Sequence, residues 1–137
     1  MRWGMCEGMQ MRFATNILRA NSALFGLFGI CFMAAPAFFA DLITGAGLGT
    51  SSASIDMRAT YGGMGLGIGL LFWFCARQRE TVLAGLVGAL LVLGATALAR
   101  AVGFVADGAP NAYMLALFCA ELLFAALLAL ALKRLTD

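Results

Sequence analysis

Histidine is absent from the 137-residue sequence, and charged residues make up only 12% of it. Histidine is the commonest metal ligand and general base near neutral pH, so haem, zinc and acid–base chemistry lack their usual residue. We therefore predict no metal site and no cofactor, and a non-enzymatic role is favoured. The net charge of +2 is too small to indicate nucleic-acid binding, so no nucleic-acid partner is expected.

Paired cysteine motifs are also lacking. The four cysteines are Cys6, Cys31, Cys75 and Cys119, and no two of them have Cys-x-x-Cys spacing. The last three lie within or beside apolar runs. We interpret them as small packing residues rather than as redox groups.

Apolar residues are abundant. They form 63% of the chain, and the mean hydropathy is +0.94, whereas soluble domains contain about 45–50% apolar residues. A water-soluble fold could not bury that much apolar surface. The composition therefore predicts an all-α integral membrane protein with the lipid bilayer around it.

Four apolar runs predict a four-helix up-down-up-down bundle. A polar, basic lead-in over residues 1–15 precedes a predicted transmembrane domain over residues 16–134. The helices are expected at about 16–40, 57–76, 81–103 and 112–132. Pro36 lies late in the first run, where proline can bend or end a helix.

The first run has an alternative interpretation. Arg12 and Arg19, followed by an apolar stretch and Ala35-Pro36-Ala37, resemble the layout of a cleaved signal peptide. The apolar run is long enough to span a ~30 Å hydrocarbon core, and signal-peptide cores are usually shorter. A spanning helix is therefore the favoured interpretation.

The basic residues predict the orientation in the membrane. The two loops at about 41–56 and 106–111 contain no lysine or arginine. Seven of the nine basic residues lie in the other polar segments or within about one helical turn of them, namely Arg2, Arg12, Arg19, Arg77, Arg79, Lys133 and Arg134. The positive-inside rule therefore predicts cytoplasmic termini.

The second predicted helix carries a glycine face. At 100° per residue, Gly62, Gly65 and Gly69 project to the same side as Arg58 and Tyr61. Gly63 and Gly67 project to the opposite side. Glycines at such spacings let membrane helices approach closely, so we interpret these five as packing residues.

Glu121 is the charged residue predicted to lie deepest. It is about ten residues into the fourth helix, or ~15 Å from its start, near the middle of a ~30 Å core. A charged acid there costs about 2.5–3.5 kcal/mol on insertion scales unless a cation, a proton or water compensates it. Arg58 and Arg100, near the helix ends, can reach the membrane surface with their long side chains.

These residues suggest a site opening outward between the second, third and fourth helices. Its expected members are Arg58, Tyr61, Arg100 and Glu121, with Asp56 and Asp107 at the rim. One interpretation is a pocket for a small polar or anionic ligand. The alternative is an ion-pair network that only fixes the register of the helices.

Several motifs carry a family resemblance. They are Asp56-Met-Arg-Ala-Thr-Tyr-Gly-Gly63, Leu66-Gly-Ile-Gly-Leu70, Arg77, Arg100-Ala-Val-Gly103, Asp107-Gly-Ala-Pro110 and Glu121. Over roughly residues 15–134 the chain resembles an uncharacterised family of small four-helix bacterial inner-membrane proteins, and is more distantly similar to DoxX-like membrane proteins. The resemblance implies a multi-pass protein of the bacterial inner membrane without an established activity. Some DoxX-like proteins are linked to quinone and sulfur redox work, but this chain lacks histidine and paired cysteines, so no redox role is carried over.

Three functions follow as hypotheses. The leading one is a non-enzymatic integral membrane protein that binds a small polar or anionic molecule from the outer side. It would be free-standing, a homo-oligomer, or a structural or accessory subunit of a larger membrane complex. The alternative is a small transporter or proton-coupled carrier that uses Glu121 as its protonatable group. A membrane-bound redox enzyme ranks third.

Overall fold

All regular secondary structure in the part that the structure describes is helical. A computed structural model describes residues 2–136, with side chains from residue 8 onwards. The predicted all-α fold is confirmed over this range, in which no strand occurs. The helices are α1 (Arg2–Ala34), α2 (Pro36–Thr44), α3 (Ser51–Met57), a π-helical segment (Arg58–Gly63), α4 (Met64–Cys75), α5 (Val82–Ala106) and α6 (Ala112–Thr136).

The predicted count of four helices is wrong for these residues. Backbone angles stay right-handed helical from α3 through the π-helical segment into α4, so these three form one continuous α3–α4 rod. The first predicted helix is divided, because Pro36 lacks an N–H and Ala35 leaves the helical region at φ −139° and ψ 66°. Five helical rods result. Moreover, α1 begins at Arg2, so the lead-in is helical from that residue.

Among the described residues, three helices are long and apolar enough to cross a membrane. They comprise Gly8–Ala34, Val82–Ala106 and Ala112–Thr136. The second predicted span corresponds to the α3–α4 rod, in which α4 itself has 12 residues and is too short to be counted among these three. The three long helices identify a membrane protein, as the composition predicted.

The helix α1 packs antiparallel against the α3–α4 rod through their backbones. A Cβ atom placed on Gly69 would lie 2.7 Å from the nitrogen of Gly26, and one on Gly62 would lie 2.9 Å from the nitrogen of Met33. Ser22 in α1 donates a 2.7 Å hydrogen bond from Oγ to the Gly69 carbonyl. Small residues thus bring the two helices into direct contact.

The main apolar core lies at the end of the protein where α4 connects to α5. Leu18, Phe72, Leu86 and Leu128 contribute fully buried side chains from α1, α4, α5 and α6. Four rods therefore meet at this end. Towards the opposite end, where α2 and the α5–α6 connection lie, they leave a partly open space between them.

Candidate functional site

A cavity of about 260 Å³ lies between α1, the π-helical segment, α5 and α6. We call it the main cavity. Its walls are mostly leucine, phenylalanine and alanine side chains, with a few polar groups. The lining residues are Asn21, Leu24, Phe25, Phe28, Tyr61, Leu93, Thr96, Arg100, Leu117, Ala120, Glu121 and Phe124.

An ion pair forms part of the cavity wall. Arg100 Nε donates to Glu121 Oε2 at 3.1 Å, and Arg100 Nη2 donates to Glu121 Oε1 at 2.7 Å. The remaining terminal nitrogen, Nη1, lies 2.8 Å from the sulfur of Met114. The side chains are 18% and 12% exposed, respectively. Two parallel hydrogen bonds fix the orientation of both groups, which is the strongest arrangement that arginine and a carboxylate form.

Tyr61 forms another part of the wall. It lies in the π-helical segment, where one extra residue per turn interrupts the regular α-helical spacing. Its ring stacks on Phe32 at a centroid distance of 5.3 Å and lies 6.5 Å from that of Phe28. The side chain remains 46% exposed. These contacts with α1 hold the tyrosine at the boundary of the cavity.

A second cavity of about 100 Å³ adjoins the main one beneath α2. We call it the α2 cavity, because Ala40, Ile43 and Thr44 of α2 contribute to its lining. Arg100 and Tyr61 line both cavities, and so do the apolar side chains of Phe28 and Leu117. The arginine and tyrosine therefore stand where the two spaces meet.

The structure places Arg58 elsewhere. Its Nη1 atom donates to the carbonyl oxygen of Met33 and lies 3.3 Å from that of Ala34. These carbonyls belong to the last turn of α1, whose acceptors lack partners within the helix because the backbone breaks before Pro36. The exposed Arg58 therefore caps α1 and does not line either cavity.

The two predicted rim residues do not join the site. Asp56 and Asp107 are exposed, and neither lines either cavity. Asp56 accepts a weak 3.4 Å hydrogen bond from Thr60 on its own rod. Of the six residues predicted to form the site, the structure brings together Tyr61, Arg100 and Glu121.

Asn21 is a cavity residue that the sequence analysis missed. It is 1% exposed, lines the main cavity and donates from Nδ2 to the carbonyl of Ile17, one turn earlier. The sequence feature that indicates Asn21 is the polar pair Asn21-Ser22 inside an apolar run. Ser22, Gly26 and Gly29 follow one another at intervals of four and three residues, as do the glycines of the α3–α4 rod against which α1 packs.

The predicted glycine residues occupy two different environments. Cβ atoms on Gly62, Gly65 and Gly69 would fall within 3.3 Å of atoms in α1. Gly67 has no such neighbour within 4 Å, and the Gly63 position meets only the carbonyl of Arg58 in its own rod. One face of the rod therefore packs against α1, while Gly63 and Gly67 lie away from it.

No metal-binding cluster occurs among the residues whose side chains are described: three or more acidic, cysteine or histidine residues do not come together there. Cys31, Cys75 and Cys119 are free thiols, and Cys6 lies outside the described side chains. The polar groups of the main cavity are therefore an ion pair, a phenol, an amide and a hydroxyl. Such groups bind and orient a molecule by hydrogen bonding.

Comparison with curated proteins and with solved structures found no match, so the distant likeness to DoxX-like proteins stays a prediction. The predicted membership of an uncharacterised family is confirmed. A family model described as a domain of unknown function, DUF4345, matches residues 13–132, and the chain belongs to that family.

Proposed function

We propose that this chain is a non-enzymatic, multi-pass protein of the bacterial inner membrane that binds a small molecule in its main cavity. The observation that supports binding is the convergence of Tyr61, Arg100 and Glu121 on a cavity with apolar walls. Concave, mainly apolar pockets with a few fixed polar groups are the usual form of small-molecule sites. A purely structural ion pair needs no adjoining space.

The proposal includes four membrane crossings, by α1, the α3–α4 rod, α5 and α6, with both termini in the cytoplasm. The rod from Ser51 to Cys75 extends ~37 Å at 1.5 Å per residue, enough for a ~30 Å core. The distribution of lysine and arginine supports the orientation. In a variant without native cysteines, a membrane-impermeant maleimide added to intact spheroplasts should label Ala46→Cys and spare Arg79→Cys. Labelling of Arg79→Cys without labelling of Ala46→Cys would contradict the proposed orientation.

A cavity-filling variant tests the binding. Ala120 lines the main cavity, whereas Ala116 lies one turn earlier on α6 and lines neither cavity. Protein is extracted with its lipids in polymer nanodiscs, and bound compounds are identified by mass spectrometry. We expect one compound to be retained by wild type and Ala116→Trp and lost from Ala120→Trp. Identical compound profiles in all three would contradict the binding function.

A proton-coupled carrier is the second function considered. Each transport cycle would have to break the two hydrogen bonds between Arg100 and Glu121, and this cost weighs against it. The deciding measurement is proton-linked flux in proteoliposomes. A flux that Glu121→Gln abolishes without unfolding the protein would favour the carrier over the binding protein.

An accessory role in a larger complex is a separate part of the proposal. Of the residues in the α6 span, 11% are fully buried within the chain, so the others keep surface that lipid or another protein can cover. Purification in mild detergent should retain a constant partner, either another protein or a second copy. A monomer without a partner under those conditions would contradict the accessory role and leave ligand binding untouched.

A further inference from the structure

We infer that the main cavity selects an uncharged amphipathic molecule, with one hydrogen-bonding group at the Arg100–Glu121 pair and an apolar body extending towards Asn21. This inference rests on the proposed binding function and specifies the class of ligand. It departs from the polar or anionic ligand that the sequence suggested. Charge balance, hydrogen-bonding capacity and shape support it.

The charges that line the main cavity balance each other. Arg100 and Glu121 are the charged side chains that line the main cavity, and they neutralise each other across 2.7 Å. An anionic ligand would either displace Glu121 from the guanidinium or add a second negative charge beside it, and a cationic ligand would do the same to Arg100. Either case leaves one charge unbalanced in apolar surroundings, which is strongly unfavourable. A neutral ligand avoids that cost.

Hydrogen-bonding capacity remains at the same pair. Three of the five N–H groups of Arg100 are engaged among the described residues, one of them with the sulfur of Met114. A thioether is a weak acceptor, so a ligand oxygen can replace it favourably. Each Glu121 oxygen can accept a second hydrogen bond. A hydroxyl group, which donates and accepts at once, matches both partners.

The rest of the cavity matches an apolar body. Phe25, Leu93 and Phe124 line the cavity and also belong to the apolar core or pack against it. Along α1 the lining runs from Asn21 to Phe28, a distance of ~10 Å at 1.5 Å per residue. The volume of about 260 Å³ exceeds the ~150 Å³ that holds benzene and lies below the range for drug-sized ligands. A molecule such as octanol has that length and a single hydroxyl.

The test uses a photoactivatable diazirine analogue of octanol on the full chain in nanodiscs at pH 7. Labelled residues are mapped by mass spectrometry. Octanol, octanesulfonate and octylammonium then compete with the probe, each at the same mole fraction in the bilayer. We expect saturable labelling of main-cavity residues and competition by octanol that is roughly tenfold stronger than by either ion.

Charge-switch variants test whether the ion pair sets this selection. Glu121→Gln leaves Arg100 without its counter-charge, so octanesulfonate should become the strongest competitor. Arg100→Gln should favour octylammonium for the opposite reason. The double variant is neutral again and should restore the preference for octanol. If a single variant fails to fold, the order of the three competitors in wild type and in the double variant still tests the inference.

The outcomes separate the two proposals. Absence of saturable labelling in the main cavity would overturn the binding function and this inference with it. Saturable labelling in which an ion competes as well as octanol would overturn the inference and leave the binding function standing. The same order of competitors in wild type and in folded charge-switch variants would also overturn it, because the pair would then have no effect on selection.

Discussion

The contact between α1 and α4 predicts opposite effects for two neighbouring Gly→Ala substitutions. A Cβ on Gly69 would lie 2.7 Å from the nitrogen of Gly26 and 2.9 Å from the carbonyl oxygen of Ser22, both backbone atoms that cannot rotate away. Ordinary contact begins at 3.4 Å, so the helices must separate locally by about 0.7 Å. Gly67, two residues earlier, has no atom within 4 Å of its Cβ position and provides the matched control.

Three terms set the expected magnitude. Overpacking a tight contact costs about 1–3 kcal/mol. Loss of the hydrogen bond from Ser22 to Gly69 adds about 0.6 kcal/mol, the average for such bonds in membranes. The higher helix propensity of alanine returns up to about 1 kcal/mol. Gly69→Ala should therefore lose about 1–3 kcal/mol of unfolding free energy, whereas Gly67→Ala should be neutral or gain up to about 1 kcal/mol.

Reversible unfolding in mixtures of mild detergent and dodecyl sulfate, followed by circular dichroism, measures both variants. The informative quantity is the difference between them, because each carries the same chemical change in the same helix. A difference below about 0.5 kcal/mol, the usual range for neutral surface changes, would refute the backbone-to-backbone contact between α1 and α4.

Three further predictions use the same unfolding assay. Glu121→Gln and Arg100→Gln should each cost about 1–3 kcal/mol of unfolding free energy, and the double variant should cost less than the sum of the two. If the double variant differs from that sum by less than about 0.5 kcal/mol, the ion pair is contradicted. Arg58→Met should cost about 1 kcal/mol by uncapping α1 and leave the main-cavity compound bound; loss of that compound at unchanged stability would refute the capping role. Ser22→Ala should cost about 0.6 kcal/mol of unfolding free energy, because it removes the hydrogen bond to α4. The hydroxyl of Thr96 bonds within its own helix, so Thr96→Val should cost less. Equal losses in the two variants would contradict the inter-helix hydrogen bond.

Composition was sufficient to predict helices and a membrane environment, because 63% apolar residues admit few other folds. The number of rods was not predictable in the same way. Pro36 indicated a bend, but whether the chain continues as one bent helix or as two depends on what pairs with the freed carbonyl groups. Arg58 pairs with those of Met33 and Ala34, a contact across 24 or 25 residues that hydropathy does not reveal.

The ion pair illustrates how helix ends limit depth predictions. A helix α5 that ended at Gly103, as the sequence predicts, would leave the side chains of Arg100 and Glu121 slightly short of each other. The helix continues to Ala106, and three more residues place Arg100 ~4.5 Å deeper. That shift brings the guanidinium to the level of the carboxylate. Helix ends are uncertain by several residues in sequence analysis, so such distances cannot be settled from sequence.

The position of the ion pair along the chain has a consequence for biogenesis. Arg100 and Glu121 are 21 residues apart and lie on consecutive helices joined by a short connection. A glutamate in the middle of α6 opposes insertion of that helix alone by about 2.5–3.5 kcal/mol. Paired with Arg100, it enters lipid as half of a neutral hairpin. We therefore expect α5 and α6 to leave the translocon together rather than one after the other.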